Sequence, residues 1–169
     1  MDAIDAIFTR RSIRKYEKKT ISDELLQSLL RAACSAPSAG NQQPWHFVVL
    51  DDRKILNVIH TFHPSAMMLK EANKAILVCG DLNLEKIKGY WMIDCAAATE
   101  NILLAAHSFG LGACWLGLYP REGRVAGMRK LLQLPTHIIP FALISLGYPA
   151  ELKAREDRYN TSRIHLNKW

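Results

Sequence analysis

MIDCAAATENILLAAHSF, Met92–Phe109, followed at once by GLGACWLG, Gly110–Gly117, is the stretch that decides the fold. The first part is rich in Ala and Leu and apolar nearly all round, the signature of a helix buried at the centre of a domain. Gly110-Leu111-Gly112 breaks that helix, and Ala113–Gly117 then reads as a strand. A central helix feeding a strand calls for a sheet beside it, and the flanking sequence supplies one. Trp45–Leu50 and Ala75–Cys79 read as strands, the second closed by Gly80-Asp81, and Pro140–Gly147 reads as the last core strand.

Helices fill the intervals. Asp2 is placed to cap a first helix that buries Ile4, Ile7 and Phe8 and ends before a basic cluster. Ser22 is the expected N-cap of a second helix, with Asp23 and Glu24 at its positive end and Leu25, Leu26, Leu29, Leu30 and Ala33 as its apolar stripe. That helix stops near Ala36, because Pro37 disfavours helical geometry before it. Ile55, Leu56, Val58 and Ile59 mark a short helix, and another is expected over Gly127–Leu132. Helices and strands alternate without a strict βαβ rhythm, so the class is α+β, with helices packed on a sheet. After Tyr148-Pro149 the chain turns polar and charged. Residues 150–169, if ordered, lie across something, and a partner subunit is one such surface.

With 169 residues, 49% hydrophobic and 22% charged, the chain suits one domain over 1–169 with a sizeable core, and its composition is that of an ordinary globular protein rather than a disordered one. No apolar run approaches a bilayer span. Acids in Met1–Asp5 argue against a signal peptide, which makes a cytoplasmic protein the expectation. Cys34, Cys79, Cys95 and Cys114 form no Cys-x-x-Cys pair, which argues against a zinc ribbon, a redox dithiol or a disulfide scaffold; buried, inert thiols are expected. The net charge of +6 suits nucleic acid and anionic small molecules equally.

Two segments carry the candidate chemistry. Six of the ten residues from Arg10 to Lys19 are basic. Such a run is a solvated face, a nucleic-acid patch with Tyr16 stacking on bases, or half of a pocket for a cofactor phosphate. The second segment, Ser35–Trp45, is a loop of small and amide residues. There Gly40 and Asn41 tolerate positive φ, and Ser38, Asn41, Gln42 and Gln43 offer hydrogen bonds to a heteroaromatic ring or a ribityl chain.

Four motifs stand in order: Arg10-Arg11-Ser12-x-Arg14-x-Tyr16, the Pro37-Ser38-x-x-Asn41-x-Gln43-Pro44-Trp45 loop, Gly110–Pro120, and the close Asp157-Arg158-Tyr159…Arg163…Lys168-Trp169. Together they resemble the nitroreductase family of flavin-dependent enzymes, particularly its short members, over nearly the whole chain. The resemblance implies a nitroreductase-like fold whose central sheet is mixed or antiparallel. It also implies a homodimer with FMN at the interface and a C-terminal segment reaching across it. Arg10, Arg11 and Ser12, joined by Arg163, would hold the phosphate and ribityl chain, since arginine presents a fixed fork of donors to phosphate oxygens. Arg14 would lie near N1 and O2 of the ring. A cation 4 Å from the charge that reduction places there contributes about 4 kcal/mol at an effective dielectric near 20. Pro37, Ser38, Ala39 and Asn41 would come from the other subunit. Pro120, Glu122 and Gly123 occupy the loop whose backbone N–H approaches flavin N5.

The activity so implied is transfer of hydride from NAD(P)H through the flavin to a small acceptor, such as a nitroaromatic or quinone, by ping-pong exchange. The cofactor performs the chemistry, so no side chain is assigned a catalytic role. Flavin reductase chemistry, or a more specialised reduction, is the alternative within the class. A basic nucleic-acid-binding module is the rival outside it, although the expected partners include neither nucleic acid nor a membrane. Two departures from the family pattern matter. Thr161 stands where many relatives carry a second basic residue, and the Glu85–Trp91 region is short, which implies an open acceptor pocket. His60-x-x-His63 lacks a further metal ligand at a recognisable spacing, so no metal is expected. No Gly-x-Gly-x-x-Gly follows a strand. Trp115 reads as core, while Tyr90 and Trp91 are candidates for the substrate side.

Overall fold

A computed structural model describes residues 1–169. In chain order its elements begin with helices α1 (Ala3–Thr9) and α2 (Asp23–Cys34), then strand β1 (Trp45–Leu50), helix α3 (Arg53–Val58) and strand β2 (Lys74–Asp81). Helix α4 (Trp91–Ser108), strand β3 (Gly112–Gly117), helix α5 (Glu122–Leu132) and strand β4 (Ile138–Gly147) complete the order. The sheet order is β1-β2-β4-β3, and every neighbouring pair is antiparallel. Strand β2 is buried along its whole length, because both faces of the sheet are covered. Ile76 and Val78 pack with Ile144 and Leu146 against α2 and α4. On the other face, Leu77, Cys79 and Leu143 pack with Leu56, Ile59 and Met128. The α+β architecture is a covered antiparallel sheet, and its central strands read as near-continuous apolar runs because neither face meets water.

The expected boundaries hold for β1 and for the cap of α2, where the Ser22 hydroxyl accepts from the Leu25 N–H at 3.3 Å. Four expectations need correction. Asp2 does cap α1, accepting from the Asp5 N–H at 2.8 Å. Ile4, Ile7 and Phe8, however, are 58%, 51% and 50% exposed, and only Ala6 of α1 is buried. Helix α1 lies flat on α4, so one narrow line of contact leaves its larger apolar residues facing outward. Helix α5 begins at Glu122, five residues before Gly127, because Arg121 already stands at its N-cap and Gly127 sits in the helix against the Phe62 ring. Two 3-10 segments, Ile59–Thr61 and Pro64–Lys70, extend the short α3, and periodicity reads poorly over such brief turns. Cys34 is exposed at the end of α2; the other three thiols are buried, and burial pushes that of Cys79 up to about 12.

The basic segment is bound to the sheet rather than free in solvent. Ser12 forms a parallel bridge to Ala113 of β3, and the Ile13 N–H donates to the Ala113 carbonyl at 3.0 Å. Tyr16 bridges to Pro149, and its hydroxyl contacts the Ile13 carbonyl and Ser145 Oγ, each at 2.7 Å. It is buried, so it cannot stack on nucleic-acid bases. Below this segment lie Gly112 and Gly147, paired directly across β3 and β4. A Cβ on Gly112 would stand 2.7 Å from Ile13 Cγ2, and one on Gly147 would stand 2.7 Å from Tyr16 Cδ1. Only glycine lets the basic segment lie this close to the sheet.

Candidate functional site

Arg10 ends α1 and reaches Glu100 of α4 through an ion pair of 3.5 Å. Arg11 turns the other way. Its Nε donates to the Ala154 carbonyl at 2.9 Å and Nη1 to the Arg10 carbonyl at 2.6 Å. The tail thereby returns over the basic segment. Lys153 Nζ donates to the Ser12 carbonyl at 2.8 Å, and the Arg14 N–H donates to the Glu151 carboxylate at 2.6 Å. That N–H holds the Glu151 carboxyl below the usual range. Between α1 and the tail lies an open groove of about 580 Å³, walled by Ile7, Phe8, Arg10 and Arg11 on one side and by Arg155–Tyr159 on the other. Arg158 is paired with Glu156 at 2.7 Å, and the Arg155 guanidinium lies 5.0 Å from the centre of the Phe8 ring.

Beside the groove, His107 Nε2 lies 2.8 Å from the Thr9 hydroxyl, which donates to the Asp5 carbonyl. Burial, and then the Arg10 and Arg11 charges, push the His107 imidazole below its ordinary value. The same positive field that disfavours a third cation favours an anion. An anionic phosphate fits this donor set, since Arg10 makes only one long ion pair and Arg11 is held in place by carbonyls rather than neutralised by a carboxylate.

The second candidate segment is anchored elsewhere. Gly40, Asn41 and Gln43 have φ of 53°, 52° and 46°, so the chain turns sharply where glycine and asparagine were expected to allow it. The Ser38 hydroxyl accepts from the Gln43 N–H at 3.0 Å, and Asn41 Oδ1 accepts from Gln43 Nε2 at 2.8 Å. The Ala39 N–H donates to Asp94 Oδ1 at 2.9 Å, fixing this loop to the N-terminal turn of α4. Pro120 follows Tyr119, whose ring meets Trp91 edge-on with centroids 5.0 Å apart, so this segment also approaches the start of α4. Glu122 and Gly123 open α5. Their N–H groups therefore belong to the helix's own unsatisfied first turn and remain available as donors. A Cβ added at Gly123 would meet no atom within 4 Å outside its own helix backbone.

The carbonyl of Gly117, at the end of β3, receives Arg124 Nη1 at 2.8 Å and lies 3.1 Å from His63 Nε2. The Arg124 donor fixes where the Leu118–Gly123 segment begins, and His63 Nε2 also lies 3.4 Å from Arg124 Nη1, so the carbonyl, the guanidinium and the imidazole meet at one point. Burial, then Arg124, lowers the His63 pKa. The His60/His63 pair gathers no third ligand, and no group of three His, Cys, Asp or Glu residues is arranged for a metal.

The chain therefore brings the assigned residues together in two sets. Arg10, Arg11 and Ser12 sit with the C-terminal half of α4, and Arg14 follows them alongside β3. Pro37, Ser38, Ala39 and Asn41 sit toward the N-terminal end of α4, Tyr119 brings Pro120 toward Trp91 there, and Glu122 and Gly123 follow at the start of α5. Asp94 and His107, which mark the two ends, are thirteen residues apart, about 20 Å along a helix. Arg163 closes an exposed 3-10 turn, Thr161–Arg163, and does not line the groove beside Arg10. Trp91 is buried and belongs to the core, whereas Tyr90 is 47% exposed. Sequence reasoning missed Asp94. An acid within an otherwise apolar helix was the available signal.

The fold is thus an α+β class with a covered antiparallel sheet, an arginine segment along its edge strand β3 and a polar loop at the far, N-terminal end of the central helix α4. The particular family follows from comparison. The chain belongs to the nitroreductase family, whose model matches residues 7–86 and 65–148. It is 52% identical, over all of this chain and 88% of the other, to a Methanothermobacter thermautotrophicus protein named "Putative NADH dehydrogenase/NAD(P)H nitroreductase". An "FMN-dependent Nitroreductase" from Clostridium difficile superposes with a TM-score of 0.90 at 30% identity, covering 98% of this chain and 99% of that one. A Desulfovibrio desulfuricans structure described as a "putative nitroreductase in complex with fmn" gives a TM-score of 0.86 at 29% identity, over 100% and 98% of the two chains.

Proposed function

We propose that this chain, as one domain over 1–169, is an FMN-dependent oxidoreductase that uses NAD(P)H to reduce a small acceptor such as a nitroaromatic or quinone. The observation that carries the reading is the arginine segment held along β3 beside an arginine-walled groove, in a chain of this family. FMN, when bound, supplies the redox chemistry, passing hydride from the nicotinamide to the acceptor in alternating turns.

The protein's own residues bind and orient. Arg10, Arg11 and Ser12 would hold the phosphate, with Arg163 brought to them from the tail. Arg14 would set a cation on the ring side, favouring the more negative form. The free N–H groups of Glu122 and Gly123 would face the reactive edge as donors. Pro37, Ser38, Ala39 and Asn41 would complete the opposite wall from a second copy. Their attachment about 20 Å along α4 from the arginine segment of the same chain supports that assignment. Exposed Ile4, Ile7 and Phe8 give a second copy an apolar surface to cover. Similarity to a Bacillus subtilis protein named "FMN reductase [NAD(P)H]", 26% identical over 99% of this chain and 76% of the other, supports flavin reduction as the second reading.

Colour tests the proposal. Purified protein should be yellow, or become so with added FMN, and NADH or NADPH should bleach it under anaerobic conditions. A colourless protein that takes up no FMN would refute it.

A further inference from the structure

We propose that Gln42 and Asp94 are positioning residues that lock the Pro37–Gln43 loop to the Leu82–Tyr90 segment, so that the two rims of the site move as one body. The lock itself rests on the protein's own contacts; what it does for the enzyme rests on the FMN reading above.

Gln42 and Asp94 are 6% and 3% exposed, within reach of few waters, so their polar atoms must be satisfied by the protein. Asp94 stands in the first turn of α4, where the helix dipole favours a carboxylate. Its Oδ1 accepts the Ala39 N–H at 2.9 Å and its Oδ2 accepts Gln42 Nε2 at 2.7 Å. The other end of the same amide faces the next segment. Gln42 Oε1 accepts both the Lys86 N–H at 2.8 Å and the Ile87 N–H at 2.9 Å. These neighbours fix the orientation of the amide without ambiguity, since two backbone donors require the oxygen on one side and an acceptor-only carboxylate requires the NH₂ on the other. Polarity therefore runs one way, from the Lys86 and Ile87 amides through Gln42 to Asp94.

The start of the Leu82–Tyr90 segment is tied by the Leu82 N–H to the His137 carbonyl at 3.0 Å and by the Asn83 N–H to the Asp81 carboxylate at 2.8 Å, whereas its middle, at Lys86 and Ile87, is met by Gln42. The Gly89 N–H is met by the Glu85 side chain at 2.6 Å, a contact within the segment itself. Ile87 packs directly on the turn opposite, where a Cβ on Gly40 would stand 2.9 Å from Ile87 Cδ1. Segment 82–90 leads into Tyr90, the exposed aromatic at the head of α4. Displacing the loop therefore displaces the segment that borders the open side of the site.

A polarity swap tests the lock. Asp94→Asn sets an NH₂ against either the Ala39 N–H or the Gln42 NH₂, and flipping Gln42 turns its own NH₂ onto the Lys86 and Ile87 N–H groups. Gln42→Glu instead sets two carboxylates face to face. In the double variant the carboxylate at position 42 accepts both backbone N–H groups, while the amide at position 94 donates to it and accepts from Ala39. All the bonds return with the charge moved.

Hydrogen exchange at Ala39, Lys86 and Ile87 in the protein as purified is the direct readout. Each single variant should speed all three amides about tenfold or more, and the double variant should return them to within about threefold of wild type. With FMN-loaded enzyme, the KM for the acceptor should rise and recover in the same order. Asp94→Asn speeding Ala39 alone, or a double variant no better than the singles, overturns the lock. Should Asp94→Asn not fold, Gln42→Ala serves: it must speed Ala39 together with Lys86 and Ile87, and speeding the last two alone overturns the proposal. Wild-type protein that takes up no FMN overturns the functional reading instead, and the exchange rates still decide the lock.

Discussion

Replacing Gly112 by alanine should lift the arginine segment off the sheet, and the structure sets the scale of the effect. The added Cβ would stand 2.7 Å from Ile13 Cγ2 and 2.9 Å from Ile13 Cβ, where ordinary contact begins at 3.4 Å. Rotation about χ1 relieves the first contact but not the second, because Ile13 Cβ is fixed to the backbone. The segment itself must move by about half an ångström, against the Ile13 N–H bond to Ala113 of 3.0 Å and the Tyr16 bond to Ser145 of 2.7 Å. Overpacking of this kind costs about 1–3 kcal/mol, and for a chain of this length each kcal/mol lowers the Tm by about 2–4 °C. Gly147→Ala should cost at least as much, since its Cβ meets the Tyr16 ring at 2.7 and 2.9 Å and that ring is buried.

The assay is a thermal melt of the apoprotein beside an FMN titration. Gly112→Ala should lower the Tm by several degrees and weaken FMN binding, because Arg10, Arg11 and Ser12 ride on the displaced segment. Gly123→Ala, with open space around it, is the control for adding a methyl group elsewhere and should leave the Tm nearly unchanged. A Gly112→Ala protein with wild-type Tm and wild-type FMN affinity would refute the argument that the glycine pair seats the site.

Among the arginines, Arg10→Ala and Arg163→Ala should each weaken FMN retention in a dialysis assay. Arg14→Ala should leave much of the binding and lower the flavin midpoint potential; an unchanged potential would remove Arg14 from the ring side. Stability should also fall on mild acidification. Burial and neighbouring arginines lower the pKa of both His63 and His107, so the folded state favours their neutral forms and the unfolded chain takes up protons first. Their contribution is therefore complete above the ordinary imidazole value of 6.5 and is lost as pH falls from there toward the lowered folded values. Urea midpoints at pH 8 and pH 5.5 measure it, and a flat profile between them would contradict the assignment. His107→Gln should flatten part of the slope, and bound FMN should reduce the His107 share, since a phosphate offsets the Arg10 and Arg11 charges.

Much of this was legible along the chain, and the physical reason is locality. A hydroxyl at Ser22 caps its own helix, Gly40 and Asn41 turn their own loop, and the apolar runs at Trp45–Leu50 and Pro140–Gly147 state their burial in their own residues. The arginine cluster and its family resemblance were also sequence properties, because motif order survives without coordinates. Where periodicity weakens, the reading failed: the 3-10 turns between α3 and β2 are too short to show a period, and Gly127 concealed the true start of α5 at Glu122.

Tertiary structure alone decided the matters that depend on distant partners. Nothing local says that Ile4, Ile7 and Phe8 would face outward, because α1 has the stripe of a buried helix and only the width of its contact with α4 limits what is covered. Tyr16 became a buried strut rather than a stacking platform because Gly147, far along the chain, leaves room beneath it. Asp94 and Gln42 are ordinary polar residues in sequence, and they acquire a direction only when Ala39, Lys86 and Ile87 surround them with donors. The sequence determined which side chains the site could use. Folding determined which of them share a wall, by placing the arginine segment and the Pro37–Gln43 loop at opposite ends of one buried helix.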